Sequence, residues 1–180
     1  MARVPYPTRD EFPEAHRAAY DRMLSDRGDP PPHIFLALAN IPNLLDVLLA
    51  FTGEMKHGAK IAPYLRELAI VTVGLASGTD YEVAHHWNSA LKAGARRAQL
   101  EQLEDFETSA EFDAAERAVV RYARAATLDP RVPDTVWNEL RAHFDVREAM
   151  DIVMATAWYN GVVRMILPLG VEIEPWCQRA

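Results

Sequence analysis

The stretch PYLRELAIVTVGLASGTDYEVAHHWNSALKAG, residues 63–94, decides the fold. Pro63 suits the first turn of a helix, where a missing N–H is not needed. After Glu67 the chain carries no charge until Asp80, and a helix that is apolar all round is a buried one. That helix is expected to end near Gly74–Gly78. Thr79 or Asp80 then caps a second helix, which runs to Ala93 and is closed by Gly94. A connection as short as Ser77-Gly78-Thr79-Asp80 makes the two helices antiparallel neighbours.

Helical patterns continue on both sides. Thr8-Arg-Asp-Glu11 reads as a capping box that opens a helix over about 8–25. Asp29-Pro-Pro-Pro32 is a rigid break, followed by a short helix over 33–39. Pro42 begins a helix reaching about His57, with Leu44, Leu45, Val47, Leu48 and Phe51 as its apolar, buried side. Beyond Gly94, helices are expected over about 96–103, from Ser109 or Asp113 to Ala126, over 133–144 and over 146–167. Alternating strand patterns are absent, and only Val171-Glu-Ile-Glu174 has an extended character. The expected fold is all-α, one domain over 1–180 with about eight helices, an N-terminal helical extension over about 1–40 and a core over about 41–170.

Composition sets the outer limits. A chain of 180 residues and 20.2 kDa buries about 70% of its unfolded surface, which suffices for a core without disulfides. Hydrophobic residues at 49% and charged residues at 25% exclude a disordered or fibrous chain. The single cysteine, Cys177, excludes an internal disulfide, a redox pair and a cysteine-rich zinc site. A net charge of −7 without any Lys/Arg block argues against nucleic acid as a partner. The N-terminal residues contain no apolar export segment, so the cytoplasm is the expected compartment. The apolar stretch 152–169 holds Asn160, Gly161, Arg164 and Pro168. An ionisable group in mid-span is costly in lipid, and the stretch is expected to be a buried core helix rather than a membrane span.

Three polar features lie in apolar surroundings. Glu67 is either a first-turn residue favoured by the helix dipole or a buried group, paired in the simplest case with an arginine. Glu82 shares a helix face with His85 (i+3) and His86 (i+4), which lie about 100° apart around the axis. A carboxylate beside an imidazole is the minimum kit for acid–base work, although such pairs are common on solvated faces. A di-iron site would need a second Glu-x-x-His and further carboxylates; none is found, and no metal is expected. Thr156, Asn160 and Arg164 form a polar stripe at i, i+4, i+8. A buried Arg164 would need an anion, either Glu67 or Glu82 or a substrate carboxylate gripped in bidentate fashion. Trp87, Trp137, Trp158 and Tyr159 suit a core or an interface.

Arg66-Glu67-Leu68-Ala69-Ile70, Tyr81-Glu82-x-x-His85-His86, Ala93-Gly94 and Tyr159-Asn160-x-x-x-Arg164 together resemble the carboxymuconolactone decarboxylase/alkyl hydroperoxidase D-like superfamily. The peroxidase branch of that family looks like Glu-x11-Cys-x2-Cys-x3-His. Glu67 and His86 match its first and last positions, whereas Thr79 and Glu82 stand where the two cysteines would be. Dithiol peroxide reduction needs both thiols, so the resemblance points to the decarboxylase branch, with acid–base chemistry by glutamate and histidine and no cofactor.

The resemblance implies catalysis by Glu67, Glu82 and His86 on a small, anionic, carboxylated lactone or carbonyl metabolite. Tyr81, His85, Asn160 and Arg164 would bind it. It also implies a homo-oligomer, dimer, trimer or hexamer, with neither nucleic acid nor membrane as partner. Two other readings stand beside this one: an alkyl hydroperoxidase-like antioxidant protein despite the missing cysteines, and a non-catalytic helical protein that binds a ligand or partner. Convergence of Glu67, Glu82 and His86 in one place separates a catalyst from a binder.

Overall fold

A computed structural model describes residues 2–177 and 179. Among these residues there are nine α-helices, one 3₁₀ turn at Glu14–His16 and no strand. The helices are α1 (Arg17–Arg27), α2 (His33–Leu38), α3 (Pro42–His57), α4 (Pro63–Ala76), α5 (Asp80–Ala93), α6 (Arg97–Glu101), α7 (Ala114–Leu128), α8 (Asp134–His143) and α9 (Val146–Leu169). The all-α expectation is met, and most boundaries fall within a residue or two of those read from the sequence. The chain clusters into two compact units, Met1–Gly58 with Met165–Trp176, and Ala59–Arg164 with Cys177–Ala180.

In the first unit, α1 packs on α3 through Tyr20, Met23, Leu45 and Leu49. The helix expected from Thr8 does not start there. Glu11 does accept from the Thr8 N–H at 2.8 Å, but α1 begins only at Arg17. Pro13 is the reason: its ψ of 132° is extended, and a proline also disfavours helical geometry in the residue before it. The expected apolar side of α3 is only partly buried. Leu45 and Leu49 are inside, whereas Leu44 is exposed and Val47 is 62% exposed. The segment after α9 is bonded within this unit. Tyr6 donates to Glu172 at 3.0 Å, and Glu174 accepts the main-chain N–H of His33 at the start of α2. Desolvation and the Glu172 carboxylate push the Tyr6 phenol up to about 12.

The second unit is built around α4. Every residue from Leu65 to Gly74 is buried, although the run Ile70-Val71-Thr72-Val73 is only moderately suited to a helix. Burial outweighs propensity here: Leu68, Ala69 and Val71 pack among Val83, Trp87 and Ala90 of α5 and Val119, Val120 and Ala123 of α7. Thr72 satisfies its hydroxyl by donating to the Leu68 carbonyl at 2.7 Å. Gly74 lets α5 come close. A Cβ there would lie 2.9 Å from Val83 Cγ2 and 3.1 Å from Glu82 Cβ. α5 closes as expected: Gly94 has φ +104°, and the Ala95 N–H returns to the Ala90 carbonyl at 2.9 Å. Of the two candidate starts for α7, Asp113 is the one used, in a reciprocal capping box with Glu116.

α9 corrects the reading of residues 152–169 as a buried helix. By length and composition alone it would suffice to cross a membrane, yet only 33% of its most apolar window is buried. Ala149 and Ile152 join the core of the second unit, while Val146, Met150, Met154, Ala157, Gly161 and Arg164 are exposed.

Candidate active site

Glu67 lies in the second turn of α4, and Glu82 and His86 lie one turn apart on α5. The antiparallel pairing sets them level. The His86 imidazole sits between the two carboxyl groups, with Nδ1 2.7 Å from Glu67 Oε2 and Nε2 3.4 Å from Glu82 Oε2. Arg66 Nη2 donates to the other oxygen of Glu67 at 3.2 Å. Arg66, Glu67 and Glu82 are buried, and the His86 side chain is 16% exposed. The Tyr159 ring meets the imidazole edge-on at a centroid distance of 4.6 Å.

A carboxylate next to Arg66 accepts rather than donates, so Nδ1 carries a hydrogen and the Glu67 contact fixes the tautomer. The other nitrogen, Nε2, then shares one proton with Glu82: either Nε2–H faces a carboxylate, or a protonated Glu82 faces a bare Nε2. Both states leave Arg66, Glu67, His86 and Glu82 neutral as a group. Burial pushes the Glu67 carboxyl up, and the hydrogen bond and charge of His86 with that of Arg66 more than offset it, so the net direction is down. Burial raises Glu82, and the charge of Glu67 adds to this against the pull of His86 and His85. Burial alone would lower His86, but the Glu67 hydrogen bond and the two carboxylates hold it above the ordinary histidine value. Two carboxyl groups displaced in opposite directions around one imidazole can serve as a proton acceptor and a proton donor in one place.

The other sequence candidates are distributed differently. The His85 ring stacks on Tyr81, with ring centroids 4.6 Å apart. Asn160 Nδ2 donates to Thr127 Oγ1 and to the Thr156 carbonyl, both at 3.0 Å. Arg164 is exposed and donates to the Asn160 carbonyl at 2.8 Å. It therefore needs no buried anion; Arg66 and His86 hold the buried carboxylate of Glu67 instead. The sequence reading passed over three residues of interest. Arg66 stood in the quoted motifs without a role, Tyr159 was assigned only to a core or an interface, and Thr79 was weighed only as a cap and as a missing cysteine. Thr79 makes no capping bond, and its buried hydroxyl has no hydrogen-bond partner among the described residues.

Residues 42–125 match the model of the carboxymuconolactone decarboxylase family. The chain is 25% identical over 107 residues to the uncharacterised protein YdfG of Bacillus subtilis (strain 168), covering 58% of this chain and 73% of that one. Its fold is similar to that of an uncharacterised peroxidase-related protein from Ralstonia eutropha JMP134, described as an alkylhydroperoxidase AhpD core. The TM-score is 0.80 and the identity 22%, over 97% of this chain and 93% of that one. It is similar also to the debrominase Bmp8, with a TM-score of 0.81 and 19% identity over 96% and 92% of the two chains. Residues 42–125 thus match the carboxymuconolactone decarboxylase family model within a fold similar to that of an alkylhydroperoxidase AhpD core, with Thr79 and Glu82 where the cysteine-bearing pattern has its two thiols.

Proposed function

We propose that the protein is a cofactor-independent acid–base catalyst of the lyase type, acting on a small carboxylated lactone or carbonyl compound. The observation that carries this reading is the single imidazole held between two buried carboxyl groups. In a decarboxylation of this kind the bond to the carboxylate breaks, carbon dioxide leaves, and the electron pair passes through the adjacent double bond to the carbonyl oxygen. The resulting dienolate takes a proton at carbon. His86 and Glu82 share the proton that is delivered, and Glu67 holds the ring in the correct tautomer while stabilising its cationic form. The peroxidase and debrominase names of the structural neighbours do not lead to the same dithiol chemistry here, because Cys177 is the only thiol in the sequence.

The test is proton exchange and decarboxylation followed by NMR in D₂O across a panel of carboxylated γ-lactones and 2-oxo acids. Deuterium incorporation or carbon dioxide release is expected for at least one class. His86→Asn should lower the rate by about 10²–10⁴-fold, with Glu67→Gln and Glu82→Gln non-additive with it. A panel without turnover, or full activity in His86→Asn, would leave a helical binding protein as the better reading.

A further inference from the structure

Thr79 and Glu82 are both 2% exposed, and the Thr79 hydroxyl lacks the hydrogen-bond partner such a group ordinarily has. An N-terminal threonine of a helix usually accepts a hydrogen bond from the first turn. Thr79 occupies that position of α5, makes no such bond, and its hydroxyl meets no other polar atom among the described residues. Three residues on, the Glu82 carboxyl has four acceptor positions, and His86 Nε2 lies 3.4 Å from one of its oxygens. Thr79, Glu82 and His86 follow i, i+3, i+7 and so share one face of α5. Buried polar groups are paired in the great majority of cases, and those that are not call for an explanation.

The main chain adds to the same place. The first-turn N–H groups of Asp80 and Glu82 have no acceptor within the helix, and a helix N-terminus favours negative charge. The two buried side chains differ in what they offer: an unpartnered hydroxyl that can donate, and a carboxyl that exchanges a proton with an imidazole. Of the three residues only His86 reaches solvent appreciably, so a ligand approaches along its ring.

We propose that the N-terminal end of α5 binds the carbonyl oxygen of the substrate, with the Thr79 hydroxyl as donor, and that the compounds it takes are carbon acids whose enolate oxygen lands there. This rests on the acid–base reading above and specifies its substrate. As the bond at the acidic carbon breaks, its electron pair forms the enolate double bond and the carbonyl oxygen gains the negative charge. That oxygen faces the Thr79 O–H and the positive end of the helix. The proton moves between carbon and the His86–Glu82 pair, so no oxidant or reductant is involved. Thr79 is a positioning and oxygen-binding residue, while His86 and Glu82 handle the proton.

Oxalate, a stable planar mimic of a 2-oxo acid enolate, is the probe. Calorimetric titration of the full chain should show binding that weakens by about tenfold or more in Thr79→Val and returns to within about threefold in Thr79→Ser. Amide shifts on titration should centre on residues 79–83. Thr79→Val should melt at the same temperature as the wild type or higher, because a hydroxyl without a partner is replaced by a methyl of the same shape. A lower melting temperature would show that the fold itself uses the hydroxyl, and would overturn the proposal. Equal oxalate affinity in Thr79→Val, or no wild-type binding up to about 10 mM, would do the same and leave an ordered water as the occupant. The two readings fail separately. Exchange activity lost in His86→Asn but unchanged in kcat and KM in Thr79→Val removes the oxygen site and keeps the acid–base catalyst. Activity unchanged in His86→Asn removes the catalyst.

Discussion

At the scale of single residues, the cluster makes stability depend on pH with signs that differ between its members. Glu67 is lowered, so its contribution is present above about pH 4.5 and is lost as pH falls through its folded value. Glu82 is raised, so the folded state holds its proton longer than the unfolded chain. Its contribution is complete below about pH 4.5 and is lost as pH rises from there through the folded value. His86 is raised too, and its contribution fades as pH climbs past about 6.5. Glu82→Gln removes the middle effect and weakens the third, because the Glu82 carboxylate is one of the two that raise His86. Its stability relative to wild type should therefore improve between about pH 4.5 and neutrality, measured by urea unfolding at stepped pH. A stability difference that stays flat over that range would contradict the buried placement of Glu82.

How much of this cluster was legible follows from its geometry. Glu82 and His86 were readable because i, i+4 spacing fixes their face. Glu67 was readable because a lone charge in a run of buried helix must have a partner. The burial of Arg164 was misjudged because spacing gives a face but not the direction in which that face looks; Asn160 bonds to Thr127, and Arg164 lies in solvent bonded to Asn160. The unpaired hydroxyl of Thr79 had no trace in the sequence, since its significance lies in what fails to surround it.

At the scale of elements, the α4–α5 pair rests on Gly74. Adding a methyl there brings it to 2.9 Å from Val83 and 3.1 Å from Glu82, and neither helix can yield without disturbing the core. Gly74→Ala should cost about 1–3 kcal/mol of stability in denaturant unfolding despite the better helix propensity of alanine. It should also widen the Glu67–His86 separation across the two helices and lower activity. A variant as stable as the wild type would mean that the two helices slide apart freely. Helix ends proved readable where a single residue decides them, as with Pro63, Asp113 and Gly94. The Thr8 box failed because Pro13 follows within two residues of Glu11, and a local hydrogen bond does not propagate through extended backbone.

At the scale of the whole molecule, the exposed side of α9 is the feature that a lone chain leaves unexplained. Met150, Met154, Ala157, Gly161 and Arg164 recur at alternating spacings of four and three, the seam spacing of paired helices. Small residues at Ala157 and Gly161 permit close approach of another helix. A solution mass well above 20.2 kDa is expected by light scattering at micromolar concentration. Met154→Asp should lower that mass without loss of helical signal, because Met154 is already 40% exposed. A wild-type chain that runs as a monomer would show that this face has no partner copy.

The burial of α4 and of the start of α5 sets the terms on which the site can vary. Glu67 stands on a helix with ten consecutive buried residues, where nearly any exchange of side chain disturbs the core. Thr79 and Glu82 stand at the start of α5 and are each 2% exposed, so a side chain exchanged there must also fit a packed environment. The positions at which this chain departs from the cysteine-bearing pattern are those two, and the glutamate and histidine that frame them are kept. Within one helical turn, a hydroxyl and a carboxyl thus fill the two places that thiol chemistry would need, beside an imidazole held by Glu67.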